Sequence, residues 1–183
     1  MSEPLALTPY AKGRTIHDAD AHILETPDWL VPWADPAIRD RLRPLYVATV
    51  KPGEEQMIDR LRRRHADPAE RPRAEAEIML RKNWSALGSF IKEDRPRALD
   101  LLGFASQLVF NTFLSNYLVD AEHKGDDEFV YGLARAHNRA QLDFCSVDRR
   151  LLAVGYVPLS DFARSRAIAE EAIAGGCKAP IEG

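Results

Sequence analysis

The run Leu151-Leu-Ala-Val-Gly-Tyr-Val157 is almost continuously apolar and is closed by Pro158. A strand that reads this way is buried on both faces, and such strands belong to parallel sheets covered by crossover helices. The flanking sequence supplies those helices. From Asp126 to Asp148, the residues Phe129, Leu133, Ala136, Ala140 and Phe144 recur at spacings of three and four, which predicts a long helix packing one stripe on a core. Beyond Pro158, a second helix is expected from the cap residue Asp161 through Ile168 and Ile173 to a stop at Gly175 and Gly176. Cys177 to Ile181 then reads as the start of another strand, and Phe104 to Phe110, after Gly103, as an earlier one.

Towards the amino terminus, residues 1–13 carry two prolines and a glycine without periodicity and read as a loosely ordered lead-in. Thr15 to Leu24 is expected to form the first strand, ending before Pro27. Asp18, Asp20 and His22 fall at every second position of it, which in a regular strand places all three on one face, with Ala19, Ala21 and Ile23 opposite. From Pro27 to about Asp100, prolines alternate with helical stretches, one opened by Pro36 and including Ile38 and Leu42, another from Glu54 to His65. This reads as a helix-rich insertion. The order strand, insertion, strand, helix, strand, helix, strand implies parallel pairing with helical crossovers, an α/β architecture in a single domain.

Composition narrows the function. With 25 basic against 28 acidic residues the net charge is −3, so no basic surface draws the chain to nucleic acid or anionic lipid. The basic run Arg60, Arg62, Arg63, Arg64 has Glu54, Glu55 and Asp59 on neighbouring turns and reads as a solvated helix face. Two distant cysteines, Cys145 and Cys177, suit a reducing compartment. The absence of a basic start or a long apolar stretch argues against secretion and membrane insertion. The expected setting is the cytoplasm, with a small-molecule substrate, no nucleic acid or membrane partner, and self-association into a homo-oligomer left open.

The strand around His22 carries the sharpest chemistry. A carboxylate and an imidazole two residues apart on one strand face can converge on a single divalent cation, although catalytic zinc usually takes three protein ligands. By spacing alone the pattern is weak, and Asp20 and His22 read first as a satisfied polar pair near a strand end, with Asp18 in a local hydrogen bond. His17 is expected to face away from His22, His65 and His123 lie in charged or glycine-flanked stretches, and His137 with Asn138 sits mid-helix in an interior hydrogen-bonding role. Trp29, Trp33 and Trp84 read as anchors for short helices before they read as a pocket lining, and Cys145 as a small buried hydrophobe. Asn111 and Thr112 follow the second strand, where either a turn or a substrate contact fits. No glycine-rich phosphate loop and no Gly-x-Ser-x-Gly elbow occurs, so nucleotide cofactors and serine hydrolase chemistry are not expected.

Asp18-Ala-Asp-Ala-His22-Ile-Leu-Glu25-Thr-Pro27-Asp28-Trp29, followed by Asp35-Pro36-Ala-Ile-Arg39-Asp40-Arg41, resembles the opening of the amidohydrolase-related family, also called amidohydrolase family 2. Leu99 to Phe110 is similar to that family's second barrel strand. Asn138 through Phe144-Cys145, Arg149-Arg150-Leu151, Gly155-Tyr-Val-Pro158 and Ala169-Glu170-Glu171 is similar to its third unit. The resemblance spans about Thr15 to Lys178. It implies a partial TIM (β/α)8 barrel over residues 14–183, namely the amino-terminal half with the helical insertion at about 27–100. Asp20 and His22 would be its metal ligands at the carboxyl end of the first strand. It further implies zinc, or manganese, serving hydrolysis or non-oxidative decarboxylation of a small carboxylated or cyclic substrate. A complete barrel takes about 250 residues, so the expectation is the front part of a longer enzyme. Its later metal ligands and catalytic carboxylate are missing, and no catalytic residue is assigned. The rival expectation is a non-catalytic half-barrel module or inactive remnant, completed by self-association or by a partner.

Overall fold

The computed structural model describes residues 13–46 and 53–182. All but the last residue of the lead-in at 1–13 lies outside them. Four strands, β1 (Ile16–His22), β2 (Phe104–Phe110), β3 (Leu151–Val157) and β4 (Ala179–Glu182), pair in parallel in that order. Between β1 and β2 lie α1 (Pro36–Arg39), α2 (Glu54–Ala66), α3 (Arg71–Ala76) and α4 (Arg95–Leu102). Two helices, α5 (Leu114–His123) and α6 (Asp127–Cys145), connect β2 to β3, and α7 (Phe162–Gly175) precedes β4.

Local chemistry explains the two longest helices. The Asp126 carboxylate accepts the Phe129 N–H at the start of α6, and Asp161 does the same for Arg164 at the start of α7. The second helix stops at Gly176, whose φ of +112° is cheap only for glycine. The apolar stripe of α6 lies on β3, and Phe144 joins Ile23, Leu99, Val109, Leu151, Ala153 and Ala172 in one buried cluster. Helices α4, α6 and α7 thus cover one face of the sheet. A second cluster joins α5, α6 and the segment around α1, and a third, of Ile58, Trp84 and Phe90, forms the core of the insertion. Among the described residues no helix is long and apolar enough to cross a membrane.

The amino-terminal half of a TIM barrel is not what forms. The fold is mixed helix and strand around a small, open parallel sheet. Half of an eight-stranded barrel needs about four full strands, whereas only β1, β2 and β3 reach seven residues and β4 is a four-residue edge. A barrel interior is filled by layers of bulky branched side chains. Here the face of β1 and β2 turned away from α4 and α6 carries His17, Ser106, Asp20, His22 and Phe110. Such a face does not supply the apolar layers that drive closure.

Strand β1 is also irregular. Asp18 pairs with Gln107 and Ala21 with Val109, so three steps of β1 oppose two of β2. The extra residue is a bulge, held by the Asp20 N–H donating to Asp18 Oδ1 at 3.0 Å. An inserted residue reverses the facing of every later side chain in the strand. Asp18 therefore points to the helix-covered side, where it accepts from Gln107, while His22 points to the open side against the Phe110 ring. The three polar side chains expected on one face are split, and His17, bonded to Ser106, shares the open face with His22 instead of opposing it.

Two helices differ from the sequence expectation. The helix opened by Pro36 ends at Arg39, leaving Leu42 in the loop beyond it. Helix α5 is an additional element between β2 and α6, with Leu114, Tyr117, Leu118 and Ala121 buried at helical spacing. None of its own side chains caps its start.

His137, on the sheet side of α6, is buried, and that burial pushes its pKa down to about 4, with the Val154 backbone offsetting part of the effect. The unfolded chain takes up this proton near 6.5 and the folded chain only near 4, so the stability it contributes is complete above pH 6.5. It is lost as pH falls from 6.5 towards 4, by about 3 kcal/mol in total. Urea denaturation at a series of pH values is expected to show this slope in the native chain and a flatter one in His137→Gln.

Candidate metal site at the carboxyl edge of the sheet

Parallel sheets place their functional loops at the carboxyl ends of the strands, and His22 is the last residue of β1. Its Nδ1 lies 2.6 Å from the main-chain oxygen of Asn111, the residue just after β2. A carbonyl oxygen only accepts, so Nδ1 carries a proton and donates it here, and Nε2 is the ring atom turned to the edge. Asp20 Oδ1 faces Nε2 at 3.2 Å. Two acceptors at this distance need a positive centre between them, either a second imidazole proton or a cation. Both side chains reach solvent, Asp20 at 88% and His22 at 48% exposure.

Two buried groups hold the edge from behind. Glu25 has no exposed surface. Its Oε1 accepts the N–H groups of Thr112 at 2.9 Å and Leu114 at 3.3 Å, and its Oε2 accepts that of Phe113 at 3.1 Å. The Thr112 hydroxyl donates to the Ile23 oxygen at 2.5 Å. The exit of β1 is thereby fastened to the start of α5. Burial pushes the Glu25 carboxyl above its ordinary pKa, and the three backbone donors pull it down.

On the covered face, Asp18 accepts from Gln107 Nε2 at 3.0 Å, and Gln107 Oε1 accepts from Arg95 Nε at 2.9 Å. The same guanidinium donates from Nη1 to the main-chain oxygens of His22 at 3.3 Å and Gly88 at 3.1 Å. Burial lowers the Arg95 pKa, and the nearby Asp18 charge opposes that shift. Gly88, at φ +73°, is required here, because a Cβ would lie 2.7 Å from the Arg95 Cα.

Of the residues singled out in the sequence, Asp20 and His22 come together, and Asp18 lies on the opposite face. His17 is five residues from His22, about 16 Å along a strand. His65 is buried beside Asp94 and the Phe90 edge, and His137 is interior. Among the described residues no group of three or more His, Cys, Asp or Glu could hold a metal ion, so Asp20 and His22 stand as a pair. Trp84 packs on Phe90 and Trp29 on Phe144, and Trp33 packs against the α5 and α6 cluster, all as anchors. Cys145 is buried, and its thiol is pushed up to about 12, which leaves it unreactive at neutral pH. Asn111 and Thr112 do take part, through a carbonyl and a hydroxyl. Arg95 and Gln107 belong to the site without any motif to mark them. Their only sequence signal is a polar residue at a position that the strand or helix pattern buries.

Neither family models nor curated proteins show a match to this chain.

Replacing Arg95 by Met removes every donor to Gln107 Oε1 and to the His22 and Gly88 carbonyls. Leaving buried acceptors unpaired costs about 1 to 3 kcal/mol each, so a total loss of about 3 kcal/mol or more is expected in chemical denaturation.

Proposed function

We propose that Asp20 and His22 hold a divalent metal, zinc being the best match to a mixed nitrogen and oxygen donor pair and manganese the alternative. The protein is then the metal-dependent hydrolase or non-oxidative decarboxylase that its resemblance to the amidohydrolase-related family implies. Its substrate is a small carboxylated or cyclic molecule. The observation that carries this reading is the Asn111 carbonyl on His22 Nδ1, which leaves Nε2 as a ligand atom aimed at the Asp20 carboxylate. A backbone carbonyl in this place is the usual partner of a metal-bound histidine.

The donor types and the ring tautomer fit a metal, and the two donors are one short of the three protein ligands of a catalytic zinc site. When bound, the metal supplies a Lewis acid that activates water or holds a substrate carboxylate. The residues of the chain do the rest. Asp20 offers a solvated carboxylate, and His22 offers Nε2 on a ring fixed through Nδ1. Asn111 and Thr112 of the loop after β2 stand against one side of the His22 ring, and Phe110 gives the neighbouring floor an apolar surface. This arrangement suits a ligand with a charged group at the edge and a flat body on the open sheet face.

Titration of the full chain with zinc, monitored by calorimetry and by the His22 ring resonances, tests the reading. Saturable binding with perturbation of the His22 Nε2 signal is expected, together with at least a tenfold loss of affinity in both Asp20→Ala and His22→Ala. Equal affinity in His22→Ala and the native chain would overturn the site.

A second reading, an interaction module, draws on Leu159 and Phe162, which stand 53% and 83% exposed where β3 turns into α7. Light scattering after size-exclusion chromatography distinguishes it. A dimer that becomes monomeric in Phe162→Ser supports it, and a native monomer excludes self-association.

A further inference from the structure

We infer that Glu25 is a positioning residue for His22, setting which imidazole nitrogen faces the carboxyl edge; its consequence for metal affinity rests on the proposed metal site. The inference starts from a chain of contacts. The Glu25 carboxylate binds the N–H groups of Thr112, Phe113 and Leu114 and so fixes the backbone that begins one residue after Asn111. The Asn111 carbonyl, held by that backbone, accepts the proton of His22 Nδ1. The Thr112 hydroxyl, tied to the Ile23 oxygen, stands 3.4 Å from the same Nδ1 and closes the loop against the ring. Glu25 never approaches the Asp20 and His22 tips. It acts through the carbonyl.

One other polar contact reaches the tip of the ring, from the exposed Asp20 Oδ1 to Nε2 at 3.2 Å. Arg95 reaches only the main-chain oxygen of His22, so it fixes the backbone but not the imidazole. Phe110 stacks at 5.7 Å without a polar contact. The hydrogen bond from Nδ1 to Asn111, shorter at 2.6 Å and more enclosed than the exposed Asp20 contact, is therefore the one that keeps a proton on Nδ1, and its geometry depends on the Glu25 clamp. With a glutamine in place of Glu25, one oxygen remains to accept, while the amide nitrogen confronts the Phe113 N–H as donor against donor. The loop must shift, and the carbonyl of Asn111 shifts with it.

The test records nitrogen-15 correlation spectra of the histidine rings in the full chain, native and Glu25→Gln, and zinc affinity by calorimetry in both. The native protein is expected to show His22 in a single tautomer with Nδ1 protonated. The variant is expected to show a mixture, with zinc binding weakened about 10- to 100-fold, the range found when an outer partner of a metal-bound histidine is lost. A variant that is folded by circular dichroism but keeps the single tautomer overturns the inference, as does a native His22 protonated at Nε2 alone. Should Glu25→Gln fail to fold, Glu25→Asp, which keeps the charge but withdraws it by one methylene, is read in the same way. If the tautomer changes as expected while the native chain binds no zinc, the positioning role stands and the metal reading falls.

Discussion

A carboxylate with no exposed surface must find hydrogen-bond donors inside the protein, and Glu25 finds three at the start of α5. An isolated buried charge would be prohibitive. Here the backbone N–H groups of a helix start, with their partial positive charge, offset much of that cost. The benefit is mutual. Helix α5 lacks a cap from its own side chains, and Glu25 satisfies donors that would otherwise be orphaned. Through this one group the exit of β1, the end of β2 and the first turn of α5 become a single unit. Where that turn is placed sets how Leu114, Leu118 and Ala121 pack into the helical core.

The opposite side of β1 is held by a different device. The bulge sends Asp18 to the covered face and His22 to the open one, so charges close in sequence are separated by the sheet. Beneath the sheet, Asp18 and Arg95 share Gln107 as a neutral bridge, an arrangement that lets a buried cation sit near a carboxylate without direct pairing. Above it, Asp20 and His22 face each other in the open at the strand end. The insertion leans on the same edge, because Leu24 from the β1 exit and Phe113 from the α5 entry pack into its core with Trp84 and Phe90. Contacts from three parts of the chain therefore converge on the backbone around His22.

The legible parts of the fold are those with local causes. The apolar run of β3, the stripe of α6 and the Asp and Gly caps of α6 and α7 each act within a few residues, and the structure has them where the pattern places them. Asp20 and His22 are legible as a pair for a similar reason, since two residues on one strand end stay close whatever the rest does. Asp18 is not legible as their companion, because a spacing rule assumes an unbroken strand and the bulge breaks it. The expected barrel fails on a larger scale. Strand and helix alternation implies parallel neighbours, but closure depends on strand number and on an apolar inner face, and the polar face around His17, Ser106 and His22 is not one.

Periodicity and hydrogen bonds within a few residues were enough to specify the covered sheet, the helices that carry their own caps, and the two side chains at the end of β1. All of these can be read from the chain before it folds. The start of α5, the facing of Asp18 and the tautomer of His22 arise only in the folded molecule. Each depends on a contact across a long separation, Glu25 to Thr112 at 87 residues, Asp18 to Gln107 at 89 and His22 to Asn111 at 89. No local pattern encodes such a contact, because the geometry that permits it exists only once the strands have paired.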